Sequence, residues 1–261
     1  MTRTKLHEHL ANEQRSVEQH ISEIPEKRRW AARVFARIAR VAPLPERPRI
    51  LDVGAAGGGF AVACAQLGYE CVGVEPWEPA RRRAVELGER MGTPVQLLAG
   101  SAESIPVGDR SFDVVHASSV IEHVRQLDDA IAEIRRVLKP GGVFWFNGAS
   151  AMCPRQEEIT GFPLFGWYPD RAKRAIMDWA KEARPALVGY SRTPAVNWLT
   201  PSRARALLGR HGFLRVYDRW DLRGDEEGGR TYALALRAIR ASRLVRTVAD
   251  VAISGCAFAA I

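Results

Sequence analysis

Apolar and polar positions along residues 49–148 alternate in a pattern that predicts five short strands with helices between them. Each predicted strand is a short apolar run, as expected of a strand that is buried on both faces of a parallel sheet. The predicted strands are about 50–53, 70–75, 94–99, 111–118 and 143–146, and the predicted helices are 60–67, 79–90 and 128–138. This alternation predicts a doubly wound α/β core, residues 46–148, with helices on both faces.

Further segments precede and follow this core. Residues 1–45 have the pattern of one or two amphipathic helices, interrupted at Pro25, which would cap the open end of the sheet. Residues 200–237 are predicted to complete the sheet with a helix and two strands, 213–220 and 230–237. Residues 238–261 are predicted to form a tail with a basic amphipathic part and an apolar end, which docks on the body or lies on a membrane surface.

The segment 149–199 is too long for a simple connection and is rich in aromatic residues, with a helix predicted over 170–183. At the ligand end of a parallel sheet, such an insertion suggests a lid and a pocket for an acceptor molecule. A small separate hydrophobic core is the alternative interpretation, and the two are compatible. The aromatic residues are Phe162, Phe165, Trp167, Tyr168, Trp179, Tyr190 and Trp198.

The turn after the first strand carries the strongest chemical signal. The sequence RILDVGAAGGGF, residues 49–60, combines a buried strand, four glycines and a helix N-terminus, which together form a site for a nucleotide-like ligand. No Gly-Lys-Ser/Thr follows, so this turn is not a P-loop. Asp52, two residues before the first glycine, suits a ligand with an ammonium group better than one with phosphates. S-adenosylmethionine has such a group, a cationic sulfonium and no phosphate.

Acidic and polar residues follow the second and third strands. Glu75 comes some twenty residues after the glycine turn, where a carboxylate can accept both hydroxyls of a ribose. The alternative is an acid that the dipole of the next helix favours. Pro76 and Trp77 could pack against an adenine, and the segment 101–103 leaves the third strand where the adenine edge would lie.

Five motifs in register resemble the class I S-adenosylmethionine-dependent methyltransferases, in the broad group that includes ubiquinone-pathway and natural-product O-methyltransferases. The motifs are LDVGAAGGG, VGVEP, SAESIP, SFDVVHASSVIEHV and RRVLKPGG. The resemblance implies a Rossmann-like sheet of seven strands in the order 3-2-1-4-5-7-6, with the last strand antiparallel. It also implies S-adenosylmethionine as the cofactor. The cofactor-binding residues that it implies are Asp52, Gly54, Ala55, Gly58, Glu75, Pro76, Trp77, Ser101, Ala102, Glu103, Ala117 and Ser118.

Two positions depart from the family pattern. Ala56 replaces the usual middle glycine of the turn, which is tolerable if the ligand needs no close backbone contact there. Ser101 stands where many members carry an aspartate for the adenine amine, and Glu103 or the Ser101 hydroxyl would have to substitute for it.

His123 is the candidate catalytic base, because it lies just past the fourth strand and an unperturbed histidine titrates near neutral pH. The alternative is a histidine that hydrogen-bonds to backbone and fixes the loop. His116 is interpreted as buried packing and Glu122 as structural. Within the insertion, the carboxylates of Asp170, Glu157 and Glu158 are candidate acceptor contacts.

Composition narrows the classes of function and partner. The formal charge of +8 fits either solvated helix faces or a nucleic-acid or anionic-membrane partner. An RNA 2′-O-methyltransferase would need a Lys-Asp-Lys-Glu set, which five lysines at these positions cannot readily supply. The four cysteines have no paired spacing, and His7 and His9 lack a third ligand nearby, so we expect no metal. A non-catalytic protein that keeps the fold is a third reading, against which Asp52 and Glu75 argue.

These observations predict transfer of a methyl group from S-adenosylmethionine to a hydroxyl of a small-molecule acceptor such as a natural product, a sugar or a quinone-like lipid precursor. The N-terminus has no signal-peptide core and no apolar run is long enough to span a bilayer, so we expect a cytoplasmic protein. We expect a monomer or homodimer, with peripheral membrane contact only through the tail.

Overall fold

The computed structural model describes residues 16–188 and 193–261. The strands are β1 (Arg49–Val53), β2 (Glu70–Val74), β3 (Gln96–Leu98), β4 (Phe112–Ser118), β5 (Leu138–Gly148), β6 (Val216–Asp218) and β7 (Cys256–Ala260). The helices are α1 (Val17–Ala39), α2 (Gly59–Gln66), α3 (Glu78–Arg90), α4 (Leu127–Val137), α5 (Asp170–Ala183), α6 (Pro201–Arg210), α7 (Arg219–Leu222), α8 (Arg230–Ala241) and α9 (Arg243–Ala252). His7, His9 and Tyr190 lie outside the described residues.

The strands form one sheet in the order β3-β2-β1-β4-β5-β7-β6. Strands β1 to β5 pair in parallel, and β7 lies antiparallel between β5 and β6. This confirms the predicted Rossmann-like fold and its strand order. The carboxyl ends of β1, β2, β4 and β5 therefore meet at one edge, where open α/β sheets bind their ligands.

Alternation of side chains along the strands separates two hydrophobic cores, one on each face of the sheet. Along β5, Phe144 and Phe146 pack on one face with residues of α4 and α6. Val143 and Trp145 pack on the other face with residues of α1 and α2. Each of these aromatic side chains is at most 2% exposed, and full burial of such a side chain contributes about 1.5–3 kcal/mol.

Helix α1 is continuous through Pro25, so the predicted interruption there is wrong. A proline inside a helix removes one backbone hydrogen bond. The helix persists because its apolar stripe stays buried on both sides of the proline, at Ile24 before it and at Val34 and Ile38 after it. The N-terminal half of α1 reaches the glycine turn, where a Cβ on Gly57 would lie 2.5 Å from His20 Nε2.

The predicted strand at 230–237 is wrong, because this segment lies within helix α8. The seventh strand is β7, which comes from the segment predicted as a tail. The apolar end of the chain is thus part of the sheet rather than a loose extension. The boundary predicted at 237 falls inside a helix, and helices α8 and α9 fill the connection between β6 and β7.

The insertion after β5 forms its own small core, around the predicted helix α5, which has the bounds expected from the sequence. Phe165, Met177 and Trp198 are buried in this core. Trp167 and Trp179 are 56% and 49% exposed. Within the part of the chain that the structure describes, no helix is long and apolar enough to cross a bilayer.

Candidate active site

The glycine turn closes the carboxyl end of β1. Gly54 and Gly58 have φ values of +71° and +74°, a left-handed conformation that favours glycine. Gly58 is also the N-cap of α2, and a Cβ there would lie 2.6 Å from Ala84 Cβ. Ala56 has a φ of +46°, so the alanine that replaces the family's middle glycine is held in a conformation that costs a non-glycine residue about 1–2 kcal/mol.

Glu75 lies directly after β2 and is only 8% exposed. Its Oε2 accepts a hydrogen bond of 2.9 Å from the Ala56 N–H, and its Oε1 accepts one of 2.9 Å from the Trp77 N–H. A carboxylate offers about four lone-pair sites, so both oxygens can still accept a hydroxyl. The carboxylate is thus fixed by backbone between the glycine turn and α3, and it can accept the two hydroxyls of a ribose.

The residues expected around an adenine follow β2 and β3. Ser101 and Ser104 close a tight turn through two backbone hydrogen bonds of 3.2 Å each. This turn buries Ala102 and leaves Glu103 partly exposed. Pro76 is exposed, and the Trp77 ring lies 4.7 Å from the guanidinium carbon of Arg83.

Asp52 lies on β1 with 4% exposure, and its Oδ1 is 2.6 Å from His116 Nδ1 on the neighbouring strand β4. The His116 ring is stacked between Phe60, 3.8 Å away between centroids, and Trp145, 5.0 Å away. His116 is buried, as the sequence predicts. Its hydrogen bond to Asp52 was missed, because a strand register that pairs residues 64 positions apart cannot be derived from either segment alone.

Two adjoining cavities open beside the carboxyl ends of β4 and β5. The first cavity has a volume of about 350 Å³ and reaches from Ser119 and Gly148 to Glu158 of the insertion. The second cavity has a volume of about 410 Å³ and is lined by Ser118 and by α1. Both share Trp30 and Asn147, so the two spaces are neighbours. The other predicted residue at this end of β4, Ala117, is fully buried.

Glu122 and His123 follow β4 in a short 3₁₀ turn. Glu122 lines the first cavity, whereas His123 is not part of the wall of either cavity. Burial lowers the pKa of His123, and hydrogen bonds to the backbone of Pro194 and Thr193 partly oppose this shift. The segment after Thr193 is tied to this turn, because the N–H groups of Val196 and Asn197 both donate to the Glu122 carbonyl.

Comparison with known proteins agrees with this geometry. A methyltransferase-domain family model matches residues 51–146. The ubiquinone biosynthesis O-methyltransferase of Rhizobium rhizogenes is 30% identical over 193 residues, which cover 73% of this chain and 74% of the relative. The corresponding enzyme of Methylobacterium nodulans is 31% identical over 147 residues, 55% of this chain and 57% of the relative.

The chain belongs to the class I S-adenosylmethionine-dependent methyltransferases. The match with the Methylobacterium nodulans enzyme spans a little over half of that relative's length. An S-adenosylmethionine-dependent methyltransferase from Mesorhizobium loti has the same fold, with a TM-score of 0.54 at 18% identity over 85% of this chain and 95% of that one. S-adenosylmethionine is the methyl donor of this family. The fixed Glu75 carboxylate offers acceptors of the kind that the ribose hydroxyls of this molecule require.

Sequence reasoning missed three residues that line the first cavity. Glu122 was interpreted as structural, and Trp30 and Arg219 were not considered as part of a site. The only sequence signal was the position of Glu122 immediately before His123. Trp30 and Arg219 reach the cavity from α1 and α7, at opposite ends of the chain, so local sequence gives no sign of their meeting.

Proposed function

We propose that this protein transfers a methyl group from S-adenosylmethionine to a hydroxyl of a small-molecule acceptor. The observation that carries the proposal is the Glu75 carboxylate, which two backbone N–H groups fix at the carboxyl end of β2. The first cavity, with about 350 Å³ beside the ends of β4 and β5, supports an acceptor of small-molecule size.

Each part of the proposed cofactor site has a physical role. Glu75 accepts the ribose hydroxyls, and Asp52, whose buried carboxylate is bonded to His116, is assigned to the amino-acid end. Gly54 and Ala55 donate their N–H groups to the Val74 carbonyl at 2.8 and 3.1 Å, which keeps the turn close to β2 and leaves its outer side to the ligand. Trp77 and the turn at 101–104 flank the adenine.

When bound, S-adenosylmethionine supplies a methyl group activated by a sulfonium. The chain's contribution is to hold the acceptor hydroxyl in line with that methyl group and to exclude water. Such positioning can contribute about 7–11 kcal/mol in favourable cases. The insertion supports this role, because Gln156, Glu157 and Glu158 cover the first cavity.

We propose His123 as the base that accepts the hydroxyl proton. Because burial lowers its pKa, the ring is neutral at neutral pH and able to accept a proton. It directly follows Glu122, which lines the first cavity.

The His123→Ala variant is expected to lower turnover well over tenfold while the affinity for S-adenosylhomocysteine changes little. Turnover is measured as release of S-adenosylhomocysteine, with acceptors from a screen of phenols, sugars and amino alcohols. In the wild type, the rate should fall in acid only below the ordinary titration range of histidine, since the pKa is lowered. Equal turnover in variant and wild type would remove His123 as the base.

A further inference from the structure

Two glutamates that line the first cavity, Glu122 and Glu158, each have one carboxylate oxygen without a hydrogen-bond partner among the described residues. These oxygens, Glu122 Oε2 and Glu158 Oε2, are both buried. A buried acceptor without a partner costs roughly 1–3 kcal/mol, and more when it is charged. Two such groups on the wall of one cavity indicate a ligand that completes them.

The two carboxylates interact with each other. Burial, together with a smaller contribution from the charge of the nearby Glu158, raises the pKa of Glu122 to about 8. Burial also raises the pKa of Glu158. Cys256, on the same wall, has its pKa raised to about 12, first by burial and then by the charges of Glu122 and Glu158. Glu122 and Glu158 therefore form an acidic pair on this wall, in which Glu122 keeps its proton near pH 7 until a cation binds.

The basic residues of the same cavity are engaged elsewhere. Arg37 pairs with Glu227, and Arg219 donates to the carbonyls of Ser254 and Gly255. Arg223 lies over the Trp220 ring, 5.1 Å from its centroid. The third carboxylate of the wall, that of Glu157, accepts a hydrogen bond from Ser254 Oγ. The acidic groups of this wall that have an oxygen without a hydrogen-bond partner are thus Glu122 and Glu158.

We propose that Glu122 and Glu158 bind the ammonium group of an acceptor that also carries the hydroxyl to be methylated, such as an amino sugar or an amino alcohol. An ammonium has three N–H donors, which suit two carboxylates. A divalent metal is less suited, since no three His, Cys, Asp or Glu side chains come together as a metal site within residues 16–188 and 193–261. This inference rests on the proposed function, because it identifies the acceptor of that reaction.

The ammonium group binds the acceptor to the site, and its nitrogen is not the atom that receives the methyl group. A nitrogen held between two carboxylates stays protonated and has no lone pair for attack on a methyl group. Gly148 leaves space for the Glu122 carboxylate in its observed position, because a Cβ at residue 148 would collide with it. The pair therefore selects the acceptor, and a hydroxyl of the same molecule receives the methyl group.

Matched amines and alcohols test the site without knowledge of the natural acceptor. Benzylamine, cyclohexylmethylamine and hexylamine are titrated by calorimetry against the protein with S-adenosylhomocysteine present, beside benzyl alcohol, cyclohexylmethanol and hexanol. At least one amine should bind at least tenfold more tightly than its alcohol. The Glu158→Gln variant should bind that amine at least tenfold more weakly than the wild type does. The Gly148→Ala variant, which keeps both carboxyl groups, should also bind that amine more weakly.

Glu157→Gln is the matched control, because it removes a neighbouring charge that already has a hydrogen-bond partner, and it should change amine affinity less than threefold. Binding of the amine near pH 7 should also release a proton from Glu122. If no amine exceeds its alcohol, or if Glu157→Gln weakens the amine as much as Glu158→Gln does, the proposal is wrong. Binding of S-adenosylhomocysteine is measured in a separate titration without amine and is independent of this outcome, so a failure of the proposed function is recognised separately.

Discussion

Two residues of this site, Glu122 and Ala56, are held in energetically costly states. Glu122 is a fully buried carboxylate whose pKa burial raises to about 8, and Ala56 occupies a left-handed conformation. Asp52, by contrast, is buried with His116 as its hydrogen-bond partner. The strained residues lie beside the proposed ligands, where such costs are commonly found.

The pH dependence of stability follows from Glu122. In the empty protein its folded pKa lies above the unfolded value, so its contribution to stability is full below the unfolded pKa and is lost as pH rises toward 8. Glu122→Gln should therefore be more stable than the wild type, by a difference that grows between pH 5 and 8. Each unit of pKa difference corresponds to about 1.4 kcal/mol. Urea unfolding across this pH range measures the effect.

Glu133→Gln is the control of opposite sign. Arg136 lowers the pKa of Glu133, so the carboxylate stabilises the fold above its unfolded pKa and loses that contribution in acid. This variant should be less stable than the wild type at pH 7 and equal to it in strong acid. A Glu122→Gln difference that stays constant with pH would contradict the raised pKa.

At the scale of elements, the strands and helices of residues 49–148 follow from apolar periodicity, whereas the interruption predicted at Pro25 and the strand predicted at 230–237 are wrong. In the segment 230–237, Tyr232, Leu234 and Leu236 alternate as in a strand, yet only Leu236 is buried and the segment is a helix. Strand β7 has small side chains and a weak strand signal. It forms because its backbone pairs on both sides, with Ala259 opposite Trp145 of β5.

The candidate site also contains residues that the sequence predicts and residues that it does not. Position at the carboxyl end of a strand was enough to predict Glu75 and Asp52 as candidate cofactor contacts. The proximity of Glu122 and Glu158 could not be derived, since it depends on the path of the insertion. The same is true of Trp30, which reaches the cavity only because α1 runs unbroken past Pro25.

Pro25→Ala is expected to stabilise the protein by about 1–3 kcal/mol. Pro25 is exposed within α1, and alanine would restore the hydrogen bond to the Ile21 carbonyl without changing any buried contact. Pro201→Ala is the control, because Pro201 stands in the first turn of α6, where proline is favourable, and it should lower stability by about 0.4–1 kcal/mol. Chemical denaturation measures the free energy of unfolding of both variants. A Pro25→Ala variant that is no more stable than the wild type would contradict the expectation.

At the scale of the whole molecule, the parallel strands β1, β2, β4 and β5 end along one edge of the sheet, and the insertion and α1 cover that edge. Two cavities with a shared boundary at Trp30 and Asn147 lie there. The fold thus brings the ends of β1 and β2, where a nucleoside would bind, beside open cavities of small-molecule size. This juxtaposition is what a transfer between two bound molecules requires.

The central claim is that S-adenosylmethionine binds across this edge with its ribose on Glu75. Titration calorimetry with S-adenosylhomocysteine tests it on the wild type, on Glu75→Ala and on Glu78→Ala, which removes a nearby exposed carboxylate that pairs with Arg82. The wild type should bind, Glu78→Ala should bind equally well, and Glu75→Ala should lose about 1.5–3 kcal/mol, roughly ten- to hundredfold in Kd. No binding by the wild type, or an unchanged Kd in Glu75→Ala, would contradict the account.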